Sequence, residues 1–336
     1  MTMILSVIVP TFNEERSIAA CIASICDAAQ PWSAEVLVVD GRSTDRTREI
    51  LAGLQQKYPQ LQVLDNPDRF QVNGLNVALK HAKGKYVVRC DAHSIYPPGY
   101  FSNFIDHFEQ CGDASVGNIG SPYVTRNDAN TPVKEGIAYA MSSPLGVGLS
   151  HRSSTASEKI RAVDTLLFGA WRREVFETVG FFDEQFVRGQ DYEHNLRLRK
   201  HGLQVLMIPG APFIYTTRSS FRNLRRMVYQ YAYAKGQIMV KHRLAPNVRS
   251  MIPACALLST PALMKLGMFN TTLAFYGAAV ALESLRASVS RRSLGVGAGV
   301  LTAIPMMHVS HAVGVIVGVL DNLLLNGRSR SMTSTR

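Results

Sequence analysis

Leu5-Ser-Val-Ile-Val-Pro-Thr-Phe-Asn-Glu-Glu-Arg-Ser-Ile18 begins as a strand and ends as a helix. Leu5 to Val9 is a short apolar run rich in β-branched residues and ended by Pro10, the pattern of a buried strand. Asn13 to Ser17 supplies a capping residue and an acidic first turn. Ile18, Cys21, Ile22 and Ile25 then recur at helical spacing. The same succession repeats down the chain. Glu35-Val-Leu-Val-Val39 is a second strand, and Ser43-Thr44-Asp45 opens a helix that runs through Leu54. Residues 61–64 form a third strand, 73–82 a helix closed by Gly84, and Tyr86-Val-Val-Arg89 a fourth strand that ends at Asp91. Repeated β-α-β units predict an α/β fold with a doubly wound, mostly parallel sheet and helices on both faces. Ligands in such sheets bind beyond the carboxyl ends of the strands. Residues 114–215 are mixed, with an irregular stretch at 142–157 and an amphipathic helix at 192–201.

Carboxylates stand where those strands end. Asp40 opens Asp40-Gly-Arg-Ser-Thr-Asp45, Asp91 opens Asp91-Ala-His93, and Asp191 lies in Gly189-Gln-Asp-Tyr-Glu193, just ahead of a helix. Aspartate also caps helices and fills turns, and Asp45 reads more readily that way. Asp91 reads differently, because side chains alternate along an extended chain and Asp-x-His puts two metal ligands on one side. Hard cations take carboxylate, water and phosphate oxygens, and Mn²⁺ also tolerates imidazole.

Composition separates two halves. Of the 336 residues, 46% are hydrophobic and 18% charged, which excludes a disordered chain. Through Leu196 there are 18 basic and 23 acidic residues; from Arg197 onward there are 18 basic and two acidic, Glu283 and Asp321. A one-sided basic segment implies an anionic partner. Here the basic residues flank long apolar stretches, so the partner expected is an anionic membrane surface and not a nucleic acid. The apolar stretches, 251–282 and 294–325, are each too long for one simple crossing of roughly 20 residues and too short for two. They are interrupted by Pro261, Lys265 and Pro305 and flanked by Lys241, Arg243, Arg286, Arg291, Arg292 and Arg328. Two re-entrant or interfacial hairpins would keep every basic cluster on the cytoplasmic side. The five cysteines are odd in number with no CxxC pair, which reads as free thiols in a reducing compartment. Residues 1–10 lack a basic leader and a small-residue cleavage site, so the catalytic part is expected to stay cytoplasmic. Four regions follow: 1–218 as the α/β domain, 219–250 as basic amphipathic connecting helices, 251–326 as hydrophobic membrane-associated helices, and 327–336 as a basic flexible tail.

Seven segments carry a resemblance: Ser6-Val-Ile-Val-Pro-Thr-Phe-Asn-Glu14, Val39-Asp-Gly-Arg-Ser-Thr-Asp45, Gly74-Leu-Asn76, Arg89-Cys-Asp-Ala-His93, Phe168-Gly-Ala-Trp-Arg172, Gly180-Phe-Phe-Asp-Glu184 and Gln190-Asp-Tyr-Glu193. Each alone is weak; in this order they are specific. Over about residues 4–240 the chain resembles the inverting family-2 glycosyltransferases of the GT-A fold, and within them the glucosyltransferases of succinoglycan-type exopolysaccharide synthesis. The resemblance implies that Pro10, Phe12 and Glu14 line a nucleoside pocket and that Asp40 accepts a hydrogen bond from uracil. It assigns Arg69 to the nucleotide, although an ordinary turn charge is an equal reading. Asp91 and His93 occupy the family's Asp-x-Asp positions, contacting ribose and a diphosphate-bound Mn²⁺ or Mg²⁺. His in place of the second Asp weakens the case for Mg²⁺ and favours Mn²⁺. Asp191 occupies the position of the catalytic base, and Trp171, Gln190 and Tyr192 that of the acceptor site. Phe168 reads equally as a sugar platform or as core.

The residue types suit the chemistry. An acceptor hydroxyl sheds a proton as it attacks the anomeric carbon, so a carboxylate opposite the leaving group serves as general base. Charge grows on the departing nucleoside diphosphate, where a cation stabilises it. The Gln-x-x-Arg-Trp motif of processive synthases is absent; Gln230-Tyr-Ala-Tyr-Ala-Lys235 stands near its place. The expectation is single-sugar transfer from a nucleotide sugar, UDP-glucose by resemblance, to a lipid-linked saccharide at the inner membrane. Two alternatives stay open: a polyprenyl-phosphate sugar synthase, and a non-catalytic basic membrane-binding protein.

Overall fold

Every residue of β1 (Leu5–Thr11) is buried, as a strand covered on both faces must be. In the computed structural model, which describes residues 3–127, 131–147, 159–217, 220–244 and 248–324, β1 pairs in parallel with β2 (Ala34–Asp40) on one side and with β4 (Tyr86–Arg89) on the other. β3 (Leu61–Asp65) extends the sheet beyond β2, also in parallel. The crossovers are α1 (Ile18–Ala29), α2 (Thr47–Lys57) and α3 (Gln71–His81). β1 runs two residues past its expected end, through Pro10. Pro10 lacks a ladder donor, but it lies beyond the last residue paired with β4, so no hydrogen bond is lost there. α1 starts later than the acidic turn suggested. Residues 13–17 form a loop instead, because their backbone amides are taken by Ser43, Thr47 and Asp45.

The remaining strands complete an eight-stranded sheet in the order β3-β2-β1-β4-β9-β6-β10-β8. β5 (Ser94–Ile95) and α4 (Tyr100–Cys111) follow β4, then β6 (Val116–Gly120) and β7 (Tyr123–Asn127). β8 (Arg161–Ala162), β9 (Gly169–Arg172), α7 (Glu174–Val179), α8 (Gln190–Lys200), β10 (Gln204–Met207) and β11 (Phe213–Thr217) come after a helical interruption. Two strands depart from the parallel pattern: β9 runs antiparallel between β4 and β6, and β8 runs antiparallel to β10 at the edge. β5, β11 and β7 form a small second sheet. Alternation along β1 divides the core into two: Val7 and Val9 join one cluster with Ile22, Phe101 and Phe104, and Ile8 joins another with Leu75, Trp171 and Phe176. At the opposite end of the strands the buried Glu35 accepts from Ser6 Oγ and Lys83 N, both at 2.6 Å. Gly84 is required there, since a Cβ would fall 2.5 Å from the Ser6 amide.

Asn127 and residues 131–147, expected within the α/β domain, fall instead into a second compact unit with Thr217 and residues 220–244 and 248–324. That unit holds α5 (Pro132–Ser142), the short α6 (Pro144–Val147), α9 (Phe221–His242), α10 (Val248–Lys265), α11 (Phe269–Ser290) and α12 (Leu294–Leu324). The expected irregular stretch is thus helical through 147, and its remainder, 148–157, lies outside the described residues, as does the 327–336 tail. Of the two expected hairpins, the second is corrected. α12 is one helix of 31 residues with Pro305 inside it. A proline removes one backbone hydrogen bond and kinks a helix, yet Val300, Ala303, Ile304 and Met307 are fully packed around it. The first apolar stretch does break, at Gly267 (φ 68°) and not at Pro261, which sits within α10. Gly295, Gly297 and Gly299 pack at helix interfaces, against Pro132, Ser288 and Val133 respectively.

His194 of α8 is fully buried among Trp171, Phe176 and Phe182, with Nε2 at 3.2 Å from the Gly180 carbonyl. Burial holds its imidazole neutral and pushes the pKa down to about 3, helped by the nearby Arg197 charge. A base whose folded pKa lies below its unfolded value near 6.5 leaves stability intact above pH 6.5 and removes it as pH falls toward 3. Chemical-denaturation midpoints should therefore drop below pH 6.5, with a slope approaching 1.4 kcal/mol per pH unit at most. His194→Phe should flatten that slope; an unchanged slope would contradict the assignment.

Candidate active site

Two loops cross at the carboxyl ends of β1 and β2 and lock each other. Asn13 takes a left-handed conformation (φ 53°), which its amide side chain tolerates well. Its backbone N–H donates to Ser43 Oγ at 2.8 Å, and its Oδ1 accepts from the Thr44 amide at 2.8 Å. The Glu14 amide donates to Thr47 Oγ1 at 2.8 Å. Asp40, 1% exposed, organises the second loop: Oδ1 accepts from Ser43 Oγ at 2.5 Å and Oδ2 from Ser43 N at 3.1 Å, with Arg48 Nε 3.4 Å away. Gly41 follows because a Cβ there would press the Arg69 carbonyl at 3.2 Å and the Phe12 ring at 3.4 Å.

Beside this crossing lies a cleft lined by Pro10, Thr11, Phe12, Val39, Asn66, Arg69 and Gln71. Three expected donor-site residues, Pro10, Phe12 and Arg69, thus share one wall, with Asp40 next to Val39 at the strand end. Asn66 and Gln71 were not singled out by sequence. Asn66 is 2% exposed; its Nδ2 donates to the Phe70 carbonyl at 2.9 Å, while its buried Oδ1 has no partner among the described residues. That oxygen can accept one hydrogen bond from a ligand in the cleft. The signal available was positional: Asn66 directly follows β3, the next strand in line.

Asp91 follows β4 and is mostly buried; its Oδ1 is approached by Gln71 Nε2 at 3.4 Å and Arg89 NH2 at 3.3 Å. Its Oδ2 has no hydrogen-bond partner among the described residues. His93 Nδ1 stands 3.4 Å from Glu14 Oε1, so Glu14 turns toward the Asp-x-His segment, and it is not among the residues that line the cleft. No cluster of three or more His, Cys, Asp or Glu side chains able to hold a metal occurs among the described residues. A divalent ion held by substrate phosphates needs only one or two protein ligands, and Asp91 Oδ2 with His93 meets that requirement.

Asp191 comes from 100 residues further along, in the first turn of α8, after Gly189 in a left-handed conformation (φ 76°). Arg89, a buried residue of β4, gives NH1 to Asp191 Oδ1 and NH2 to Asp91 Oδ1, so one guanidinium touches both expected functional carboxylates. Gln190 is buried and donates to Gln71 Oε1 at 2.9 Å, and Tyr192 is half-buried beside Asp191. Trp171 must be withdrawn from the acceptor site. It is 1% exposed and packed edge or tilt against Phe176, Phe182 and His194, so neither face can meet a sugar. Phe168 is likewise buried, against Phe213 and under Arg89.

Comparison with known proteins identifies the family and the fold. A family model described as Glycosyl transferase family 2 matches residues 6–155. The chain is 31% identical over 251 residues to "Succinoglycan biosynthesis protein ExoA" of Rhizobium meliloti (strain 1021), covering 74% of this chain and 73% of that protein. It is 29% identical over 241 residues to the dolichyl N-acetyl-alpha-D-glucosaminyl phosphate 3-beta-D-2,3-diacetamido-2,3-dideoxy-beta-D-glucuronosyltransferase of Methanococcus voltae, covering 70% of this chain and 74% of that one. Among solved structures it resembles the mannosyltransferase PcManGT of Pyrobaculum calidifontis, in complex with GDP-Man and Mn²⁺, with a TM-score of 0.58 at 22% identity over 96% of this chain and 88% of that one. It also resembles S. aureus TarS 1-349 in complex with UDP-GlcNAc, with a TM-score of 0.52 at 16% identity over 96% and 92% of the two chains. With its central sheet in the GT-A arrangement, the chain belongs to glycosyltransferase family 2 and is a glycosyltransferase.

Proposed function

We propose that this enzyme moves one sugar from a nucleotide sugar, UDP-glucose by preference, to a hydroxyl of a lipid-linked saccharide, with inversion at the anomeric carbon. The observation that carries this is the meeting of Asp91 and Asp191 at one guanidinium, beside a cleft at the carboxyl ends of the parallel strands. The nucleoside enters the cleft of Pro10, Phe12, Asn66 and Arg69, with Asp40 following the cleft residue Val39. Asp91 and His93 are the residues that would hold Mn²⁺ or Mg²⁺; the ion, when bound, offsets charge growing on the departing diphosphate. Asp191 takes the proton of the acceptor hydroxyl as its oxygen bonds to the anomeric carbon and the bond to the diphosphate breaks. Gln190 and Tyr192 flank that carboxylate and would contact the acceptor. The ExoA relative supports a place in exopolysaccharide or other cell-surface glycan synthesis.

The second unit supports attachment to a membrane. α12 is long and apolar enough to cross one, with a mean hydropathy of 1.8 in its most apolar window. Ile252, Leu258, Leu266, Phe275, Leu285 and Val289 are exposed on α10, the turn after it and α11, an apolar surface uncommon on a soluble protein. Lys265, Arg286, Arg291 and Arg292 lie among them, a combination suited to an anionic leaflet. We place the enzyme at the inner membrane with the catalytic unit on the cytoplasmic side.

Two outcomes follow. Asp191→Asn should lower hexose transfer to lipid-linked acceptors in isolated membranes by about 10²–10⁴-fold while leaving UDP binding within a few-fold. A variant that loses transfer to hydroxyls yet still glycosylates a polyprenyl phosphate would favour the synthase alternative, and no loss at all would remove Asp191 as the base. For topology, a cysteine introduced at Ser290, with Cys111 and Cys255 replaced by serine, should resist a membrane-impermeant maleimide added to intact cells. Rapid labelling would put the α11–α12 turn outside and overturn its placement on the cytoplasmic side.

A further inference from the structure

Resting on the catalytic reading above, we propose that Arg89, with Gln71 and Gln190, is a positioning device that holds the proton-accepting carboxylate in register with the carboxylate on the donor side. The side chains close a ring. Arg89 donates from NH1 to Asp191 and from NH2 to Asp91 Oδ1 at 3.3 Å. Gln71 Nε2 reaches the same Asp91 oxygen at 3.4 Å, and Gln71 Oε1 accepts from Gln190 Nε2 at 2.9 Å. Gln190 is the immediate neighbour of Asp191, so two independent routes join the carboxylates. The contributing elements are distant in sequence: the start of α3, the end of β4 and the start of α8.

Several features favour positioning over mere charge balance. A guanidinium keeps its proton, so once placed in the sheet it must find anionic partners, and its planar fork sets their directions as well as their distance. The fork itself is braced: the Phe168 ring lies 5.2 Å from the guanidinium carbon. Phe168 adopts φ 67°, a left-handed conformation that a bulky residue enters only at a cost. That backbone strain is spent where the ring meets Arg89, and Phe168 is 1% exposed, so it serves no ligand. Arg89 is 2% exposed and its fork is turned to carboxylates, so it acts through Asp91 and Asp191. Displacement of a reacting group by about 1 Å costs on the order of 10²-fold in rate, which is the quantity such a brace protects.

The test compares Arg89→Lys with the parent enzyme, using labelled hexose transfer from UDP-glucose to lipid-linked saccharides in membranes, and binding of UDP with Mn²⁺ by calorimetry. Lysine keeps the buried cation but has no fork. Expected are a melting temperature and UDP affinity close to those of the parent, a donor KM within about threefold, and a kcat lowered about 30-fold or more. A purely structural or charge-balancing Arg89 predicts that lysine restores kcat as well, and a kcat within about threefold of the parent overturns the proposal. If Arg89→Lys does not fold, Gln71→Met carries the test: it cuts the amide route alone, and should lower kcat about tenfold at saturating donor. An unchanged kcat there overturns the ring. A parent enzyme that binds UDP with Mn²⁺ but transfers from no nucleotide sugar sinks the catalytic reading and this inference together, whereas equal transfer by parent and variants sinks this inference alone.

Discussion

The parallel pairing of β1 with β2 on one side and β4 on the other is the constraint from which the site follows. β1 and β2 end together, Thr11 opposite Asp40, while β4 ends at Arg89, opposite Ile8, and leads through Cys90 to Asp91. The chain must leave the sheet at each of these points, and polar residues are needed there to satisfy the freed backbone groups. Asp40 does so for its own loop through Ser43, and the Asn13–Ser43–Thr44 contacts join the two loops across the strand ends. A scaffold buried on both faces thus delivers a rigid rim, and the cleft of Pro10, Phe12 and Asn66 opens directly beside it.

The chemistry then depends on a charge that the sheet would otherwise reject. Arg89 is nearly inaccessible in a central strand, and an unpaired cation there would cost several kcal/mol. Its two carboxylate partners offset that cost, and in return their mutual repulsion is shielded. Asp91 and Asp191 can approach closely only because the guanidinium stands between them. The electrostatics that permits the fold and the geometry proposed for catalysis are here the same pair of contacts.

Much of this was legible in the sequence because strands buried on both faces read as apolar runs, as Leu5–Val9 and Glu35–Val39 do, and because their terminal acids interrupt those runs. Arg89 was not legible as a site residue: a charge ending an apolar run looks like the edge of a strand, and its partner Asp191 lies about a hundred residues away. Gln71 and Asn66 carry ordinary loop and helix-start chemistry, so only their neighbours in space reveal them. Trp171 misled because an aromatic beside motif residues suits a sugar as well as it suits a core; alternation on β9 decides for the core. In the second unit, prolines 261 and 305 looked like breaks, but packing on the helix flanks outweighs a single missing hydrogen bond, and the first stretch breaks at Gly267, which takes positive φ.

The central claim is that the strand-end carboxylates form one nucleotide-diphosphate site with a divalent ion. Titration of Mn²⁺ into the full-length protein, followed by electron paramagnetic resonance with and without UDP, tests it most directly. The account predicts weak binding of Mn²⁺ alone, strong enhancement by UDP, and loss of that enhancement by about tenfold or more in Asp91→Ala. UDP-enhanced Mn²⁺ binding that is the same in Asp91→Ala as in the parent protein would contradict it.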